Sequence, residues 1–207
     1  MRQSVRRLAT ESNHSEIIAV LSRAFWDDPL FDFLSAGNLL DEYRVLPRVF
    51  RTAMTDFRSD AAELYVAEVS GKPRGFAGWL GPGAFPRSRP ERLARDLRAA
   101  ALLVKLRNRR IAAALLREVE RRHPTEDHWY LALLGTDPGL QGQGLGSALL
   151  RPVLQRCDLE TTPAYTETQK LANVAWYARF GFVMMDELEL PDAPTIWRLW
   201  RDPQPLG

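Results

Sequence analysis

Three glycines at alternate positions, Gly142, Gly144 and Gly146, follow the apolar run Trp129 to Leu134 and lead into a helical segment from Leu145 to Asp158. Glycine reaches positive φ and lets a ligand approach the backbone, while the first turn of a helix offers unpaired N–H groups at its positive end. Strand, glycine-dense turn and helix start together make a phosphate cradle. Neither Lys nor Arg occurs between Leu133 and Leu150, so such a loop would hold an anion through backbone dipoles, with Arg151 the nearest added charge. A P-loop needs Gly-Lys-Ser/Thr, and Gly146-Ser147 lacks the lysine. A dinucleotide fingerprint spaces its third glycine differently. Taken alone, the three glycines are equally compatible with an ordinary turn.

Other reactive residue types are sparse. Cys157 lies at the far end of the same helix with no histidine nearby in sequence, and reads as structural rather than as a nucleophile. With His14, His123 and His128 it forms no metal-ligand spacing, so no metal is expected. His123 and His128, on either side of Pro124, read as surface-loop residues. Asp27 and Asp28, before Pro29, suit either attraction of a cation or helix-ending and turn duties. Net charge is only +2, yet Arg87 to Arg122 carries 12 basic and 4 acidic residues, leaving the rest of the chain negative. That segment fits phosphates, nucleic acid or an acidic partner, and equally a solvated helix face. The longest strictly apolar runs, Ala99 to Val104 among them, are far short of the roughly 20 residues that cross a bilayer. Arg2, Arg6 and Arg7 precede no apolar stretch of signal-peptide length. The expectation is a cytoplasmic protein without a membrane segment.

These residues need a scaffold, and 207 residues with 45% hydrophobic, 26% charged and 10% aromatic content can build one around a single core. Ser4 to Thr10 reads as a first strand, with Thr10, Ser12 or Asn13 able to cap a helix beginning near Ser15. Pro29 interrupts that helix, Phe31 and Phe33 form an aromatic patch, and Asp41 to Phe57 has helical periodicity. Trp26, Phe31, Phe33, Tyr43 and Phe50 either line an acceptor pocket or pack a core. Leu64 to Val69 and Gly75 to Leu80 read as a hairpin around Ser70-Gly71-Lys72-Pro73. From Pro90 to Val119 the pattern is helical with a break at Asn108, as one kinked helix or two. His128 to Leu134 is bulky throughout, which predicts a central strand covered on both faces. Pro152 predicts a kink in the helix after the glycines. Ala164 to Thr168 reads as a strand, Asn173 to Phe180 as a helix, and Phe182 to Leu190 with Thr195 to Trp200 as a closing strand pair. This order predicts an α/β fold, a central mixed sheet of about seven strands with helices on both faces.

Gln141-Gly142-Gln143-Gly144-Leu145-Gly146, after Asp137-Pro138 and a hydrophobic strand, resembles the Gln/Arg-x-x-Gly-x-Gly/Ala signature of the GNAT superfamily of N-acetyltransferases. Glu167-Thr168 and Asn173 through Tyr177 to Gly181-Phe182 resemble the Asn, Tyr, Gly-Phe segment near the end of that fold. Val5 to Thr10, Ala24-Phe25, Gln141 to Ala148 and Pro191 to Trp197 are similar to the puromycin N-acetyltransferase type within it. Thr136 and Gln143 depart from that group's usual residues. The resemblance implies acetyl-CoA as cosubstrate, with pyrophosphate on the loop and pantetheine between two splayed strands. It implies donor-binding roles for Leu134, Gly135, Thr136, Gln141, Gly142, Gln143, Gly144, Leu145, Gly146, Ser147 and Asn173, the last orienting the donor or capping its helix. If the strand bulges at Leu134, Gly135 and Thr136 as in the family, amides there would polarise the thioester carbonyl. Tyr177 matches the family's tyrosine near the sulfur, as general acid, or packs as a core aromatic beside Trp176 and Phe180. Glu167, at the end of a strand expected to flank that cleft, is the candidate general base, directly or through water, or else a salt-bridged or cleft-rim carboxylate.

The sequence thus reads as one N-acetyltransferase domain over 1–207. Residues 1–127 would lie mainly on the acceptor side, 128–182 would form the acetyl-CoA core, and 183–207 would supply closing strands. The expected reaction is acetyl transfer from acetyl-CoA to an amine of a small molecule, antibiotic-like or aminoacyl in type, by direct attack in a ternary complex. The alternative is a non-catalytic CoA-binding module that uses Arg87 to Arg122 for nucleic acid or a protein partner. A monomer or a homodimer fits either reading.

Overall fold

Ser70 and Gly71 have φ of 53° and 76°, the paired positive angles that a tight two-residue hairpin turn needs to match strand twist. They join β2 (Ala62–Val69) to β3 (Lys72–Leu80) as antiparallel neighbours. This hairpin belongs to the fold seen in a computed structural model of the chain, which describes residues 3–8, 14–57, 61–85, 89–103, 106 and 108–205.

Seven strands form one mixed sheet in the order β1-β2-β3-β4-β5-β7-β6. The remaining strands are β1 (Gln3–Leu8), β4 (Trp129–Thr136), β5 (Ala164–Thr168), β6 (Val183–Leu188) and β7 (Ile196–Arg201). All neighbours are antiparallel except β4 and β5. As the bulky sequence predicts, β4 is the middle strand of the sheet.

Alternation along the strands sends side chains to two cores. Tyr65, Ala67 and Val69 of β2 join Trp79, Leu131, Leu149, Val153, Tyr177 and Phe182 on one face. Leu64 and Val66 join Ile17, Leu21, Phe31, Leu46, Phe50, Phe57 and Phe76 on the other. Helices α6 (Leu145–Leu159) and α7 (Leu171–Ala178) cover the first face, and α1 (Ser15–Ala24), α2 (Pro29–Ser35) and α3 (Leu39–Asp56) cover the second. Two further helices, α4 (Arg89–Leu103) and α5 (Arg109–Arg122), resolve the Asn108 break as two helices rather than one kinked helix. Leu115 of α5 packs on Leu188 and Ile196 of the closing strands.

Several local expectations are refined. The aromatic patch after Pro29 is itself helical. Asp28 accepts a hydrogen bond from the Leu30 amide at 3.0 Å and Pro29 occupies the first turn, the combination that starts a helix. Helix α6 runs through Pro152 as one element. The N-cap of α1 is His14, without a side-chain capping bond, while Thr10, Ser12 and Asn13 lie outside the described residues. Glycine is required sterically at Gly78, where a Cβ would stand 2.4 Å from Cζ of the fully buried Phe57. Among the described residues, no helix is long and apolar enough to cross a membrane.

Candidate active site

The two central strands pair over only three residues, Trp129 to Leu131 against Ala164 to Thr166. Beyond them β4 continues along β3 to Thr136, while β5 continues along β7 to Thr168. A wedge-shaped gap therefore opens in the middle of the sheet. Its β4 edge is prepared by a bulge: Gly78 faces Leu133 and Trp79 faces Leu131, which leaves Ala132 as the extra residue. Ala132 and Leu133 accordingly both pack on the second core, and Leu134 returns to the first. The bulge thus sits at Ala132, before the expected Leu134 to Thr136, and resets the alternation for those residues. The Asp137 amide donates to the Arg74 carbonyl at 2.7 Å. Alternation then turns the amides of Leu134 and Thr136 away from β3, toward the gap. Gly135 allows α1 to lie close, since a Cβ there would come within 3.1 Å of Leu21, Ala24 and Phe25.

The end of β4 is pinned by charge. Asp137 accepts from Arg23 of α1 at 2.8 Å and from Arg74 of β3 at 2.9 Å. Burial pushes its carboxyl up, but the two guanidiniums outweigh that and hold it below the ordinary value. Then comes the glycine loop. Gly142 and Gly144 have φ of 77° and 83°, and a Cβ on either would meet nothing within 4 Å. Both glycines are needed for backbone shape, and the space before them is open. Gly144 is the N-cap of α6, whose first helical bond runs from Ala148 to Gly144. The amides of Leu145, Gly146 and Ser147 therefore precede the ladder and have no intrahelical acceptor. Gln141 and Gln143 are exposed, whereas the Leu145 side chain is buried in the core. Gly146 serves packing as well, because its Cβ would lie 3.1 Å from Trp176 of α7.

Glu167 stands at the first β5 position beyond the paired stretch. Its Oε2 accepts from the Tyr130 hydroxyl at 3.1 Å and its Oε1 from the Tyr165 hydroxyl at 2.7 Å. Burial raises the carboxyl above its ordinary value, opposed by these two phenols and by Arg198. Tyr177 is buried among Trp176, Phe182 and the α6 face, in contact with Thr166. Burial raises its phenol and the Thr166 hydroxyl partly offsets this. Adjacent strand residues point to opposite faces, so Thr166 with Tyr177 lies on one side of the sheet and Glu167 on the other.

Asn173 is not a helix cap. The N-cap of α7 is Lys170, and Asn173 instead donates to Thr168 Oγ1 at 2.9 Å, closing the turn from β5 into the helix. Asp28 is engaged in capping α2. Asp27 pairs with Lys170 at 2.6 Å, tying the α1–α2 turn to the end of β5, and this bond lowers its carboxyl. Phe31 and Phe50 are core residues, while Tyr43 is exposed. Cys157 is fully buried and its thiol is pushed up to about 12 by burial, consistent with the structural reading.

The reading of His128 as a surface residue is overturned. It is 4% exposed, packed with Tyr165 and Trp200. Its Nδ1 faces the Glu126 carbonyl at 2.6 Å and its Nε2 lies 3.1 Å from His123 Nε2. His123 stacks on Phe85 and lies edge-on to Tyr130 and Tyr165. In the basic segment, Arg95 pairs with Glu120, Arg98 with Asp56, and Arg121 and Arg122 with Glu118. Part of its charge is thus already neutralised, while Arg87, Lys105 and Arg107 lie outside the described residues. Among the described residues there is no group of three or more His, Cys, Asp or Glu placed to hold a metal ion. Sequence reasoning missed Tyr130, Tyr165 and Arg198 around Glu167. Their signal lies in cross-strand register, which local patterning does not reveal.

Comparison with known proteins agrees with this geometry. Residues 23–182 match the profile described as the Acetyltransferase (GNAT) family. An uncharacterised N-acetyltransferase of Schizosaccharomyces pombe is 38% identical over 66 residues, which span 31% of this chain and 27% of that protein. The solved structure of histone acetyltransferase HPA2 and related acetyltransferase from Corynebacterium glutamicum superposes with a TM-score of 0.69 at 23% identity, over 99% of this chain and 98% of that one. The polyamine N-acetyltransferase of Drosophila melanogaster gives 0.61 at 18% identity, over 97% and 100%. Arylalkylamine N-acetyltransferase 2 of Aedes aegypti gives 0.60 at 13%, over 99% and 100%. At these identities the structures share the fold.

Proposed function

The chain belongs to the acetyltransferase (GNAT) family, and from that premise we propose that it transfers acetyl from acetyl-CoA to the amine of a small molecule within a ternary complex. The observation that carries this reading is the placement of Tyr177 and Glu167 on opposite faces of the sheet where β4 and β5 separate. The open cradle at Gly142 and Gly144, with the unpaired amides that follow, fits a pyrophosphate. The match of the superfamily to small-amine enzymes of Drosophila and Aedes supports the acceptor class. The finer resemblance to the puromycin type rests on sequence motifs alone. In this reading residues 1–127 lie mainly on the acceptor side, 128–182 form the donor core, which contains both strands that flank the gap, and 183–207 supply the closing strands.

Acetyl-CoA supplies the activated thioester when bound. The Leu134 and Thr136 amides, turned into the gap, are placed to stabilise negative charge on the carbonyl oxygen. Glu167, with its raised carboxyl, takes a proton from the acceptor ammonium on one face, freeing the nitrogen lone pair. The new C–N bond would replace the thioester C–S bond, and the proton that the nitrogen sheds on becoming an amide would pass to the departing sulfur. Tyr177 lies on the opposite face and stays protonated because burial raises its phenol. It acts chiefly as a hydrogen-bond donor to the departing sulfur, since full transfer from so weak an acid to a thiolate is uphill. Asn173, through Thr168, holds the end of β5 in position beside the donor.

Free-thiol release measured against polyamines, agmatine, arylalkylamines and aminoacyl amines tests this reading. Release dependent on one of these amines supports it. Release driven only by lysine side chains of proteins would contradict the acceptor class.

A further inference from the structure

We infer that Tyr165 and Arg198 are positioning residues that fix the orientation and ionisation of Glu167, through a hydrogen-bonded row running across three strands from the sheet edge to the gap. This deepens the reading of Glu167 as the base and rests on it for its catalytic meaning.

The row is set by register. Glu167 of β5 stands opposite Arg198 of β7, and Arg198 stands opposite Asp186 of β6. Arg198, with a side chain only 7% exposed, makes two bonds to Asp186 at 3.0 and 2.8 Å. A third goes to the Arg122 carbonyl at the end of α5. Its Nε donates to the Tyr165 hydroxyl oxygen at 2.9 Å. Tyr165 in turn reaches Glu167 Oε1 at 2.7 Å, and Tyr130 of β4 reaches Oε2 at 3.1 Å.

Proton counting gives the row a direction. A guanidinium only donates and does not lose its proton under ordinary conditions. Tyr165 has one hydrogen; with its oxygen receiving Arg198, that hydrogen goes to Glu167. Tyr165 is therefore locked as a donor, which favours the carboxylate over the acid. Burial favours the acid. The row thus opposes the effect of burial by donating to the carboxylate form of Glu167 and holding its two oxygens in place. Among the described residues, the other ionisable groups in contact with this row are His123 and His128, which meet the Tyr130 and Tyr165 rings edge-on, and Asp186 beyond Arg198, while α2 and α3 bring the buried Asp28 and Glu42 to the same face. No lysine or further carboxylate is recorded against Glu167 among the described residues.

The test is a carbon-13 carboxyl titration of the full chain, with the Glu167 resonance identified by its disappearance in Glu167→Gln. In Tyr165→Phe, which keeps the ring, the Glu167 midpoint is expected to rise by roughly one pH unit. The acid limb of kcat/KM should rise with it. In Arg198→Lys the midpoint should also rise, because the flexible ammonium does not reproduce the Nε bond. An unmoved midpoint in Tyr165→Phe overturns the positioning role. A moved midpoint with an unmoved acid limb leaves the row intact and overturns Glu167 as the base.

Discussion

Glu167 and Tyr177 meet β5 at consecutive positions from opposite sides: Tyr177 contacts Thr166, and the next side chain, Glu167, leaves the other face toward Tyr130 and Tyr165. Under the proposed function, this relationship would divide the labour of an amide-forming transfer between the two faces of one sheet, with Glu167 accepting a proton on one and Tyr177 offering a hydrogen bond to the sulfur on the other.

Replacing either group should separate binding from turnover. Tyr177→Phe keeps the buried ring, so acetyl-CoA affinity should stay within about twofold while kcat falls by roughly ten- to a hundredfold. Undiminished kcat would assign Tyr177 to the core alone. Glu167→Gln should lower kcat/KM near neutral pH by a similar factor and flatten its acid limb.

The buried histidine predicts an acid-sensitive fold. Burial lowers the pKa of His128 below its unfolded value of about 6.5. Its Nδ1 hydrogen is committed to a carbonyl and its Nε2 faces the ring nitrogen of His123, so a second hydrogen has no acceptor without rearrangement. The unfolded chain binds that proton more readily, so stability is fully present above about pH 6.5 and declines as pH falls below it. Urea unfolding from pH 5 to 8 checks this. A His128→Gln variant should show a shallower decline, and an identical slope would remove His128 as the cause.

Close packing makes a third prediction. In Gly78→Ala the new methyl would press on the Phe57 ring at 2.4 Å, with the ring itself fully buried. Overpacking of this kind costs about 1–3 kcal/mol, which in a chain of this size lowers Tm by roughly 2–4 °C for each kcal/mol. Thermal unfolding at constant pH measures it, and an unchanged Tm would mean that Phe57 yields freely.

Much of this arrangement was legible from the residues. Ser70-Gly71, the bulk of Trp129 to Leu134 and the strand-to-helix passage through Gly142 and Gly144 all encode local conformation, and each element formed where its chemistry pointed. The resemblance carried by Gln141 to Gly146 named the family. What stayed hidden depends on pairing between distant segments. The Tyr130 and Tyr165 hydroxyls converge on Glu167 only because β4 and β5 are parallel in that register. Arg198 reaches them only because β7 inserts between β5 and β6. His128 looked like a loop residue because burial beside Trp200 arises from the closing strand. The helix over Pro29 to Ser35 was masked by a proline that starts it rather than ending the one before.

In the proposed function, backbone amides beside Gly142 and Gly144 hold the donor's pyrophosphate in open space, with no side chain required. Calorimetric titration of acetyl-CoA into the unaltered chain and into Gly144→Val measures it directly. At φ of 83° a β-branched residue is strained whatever the room available. Binding to the unaltered chain is expected to be micromolar, weakened at least about tenfold in the variant at an unchanged fold, equivalent to about 1.4 kcal/mol. Absence of heat with the unaltered chain, or equal affinity in both, would contradict it.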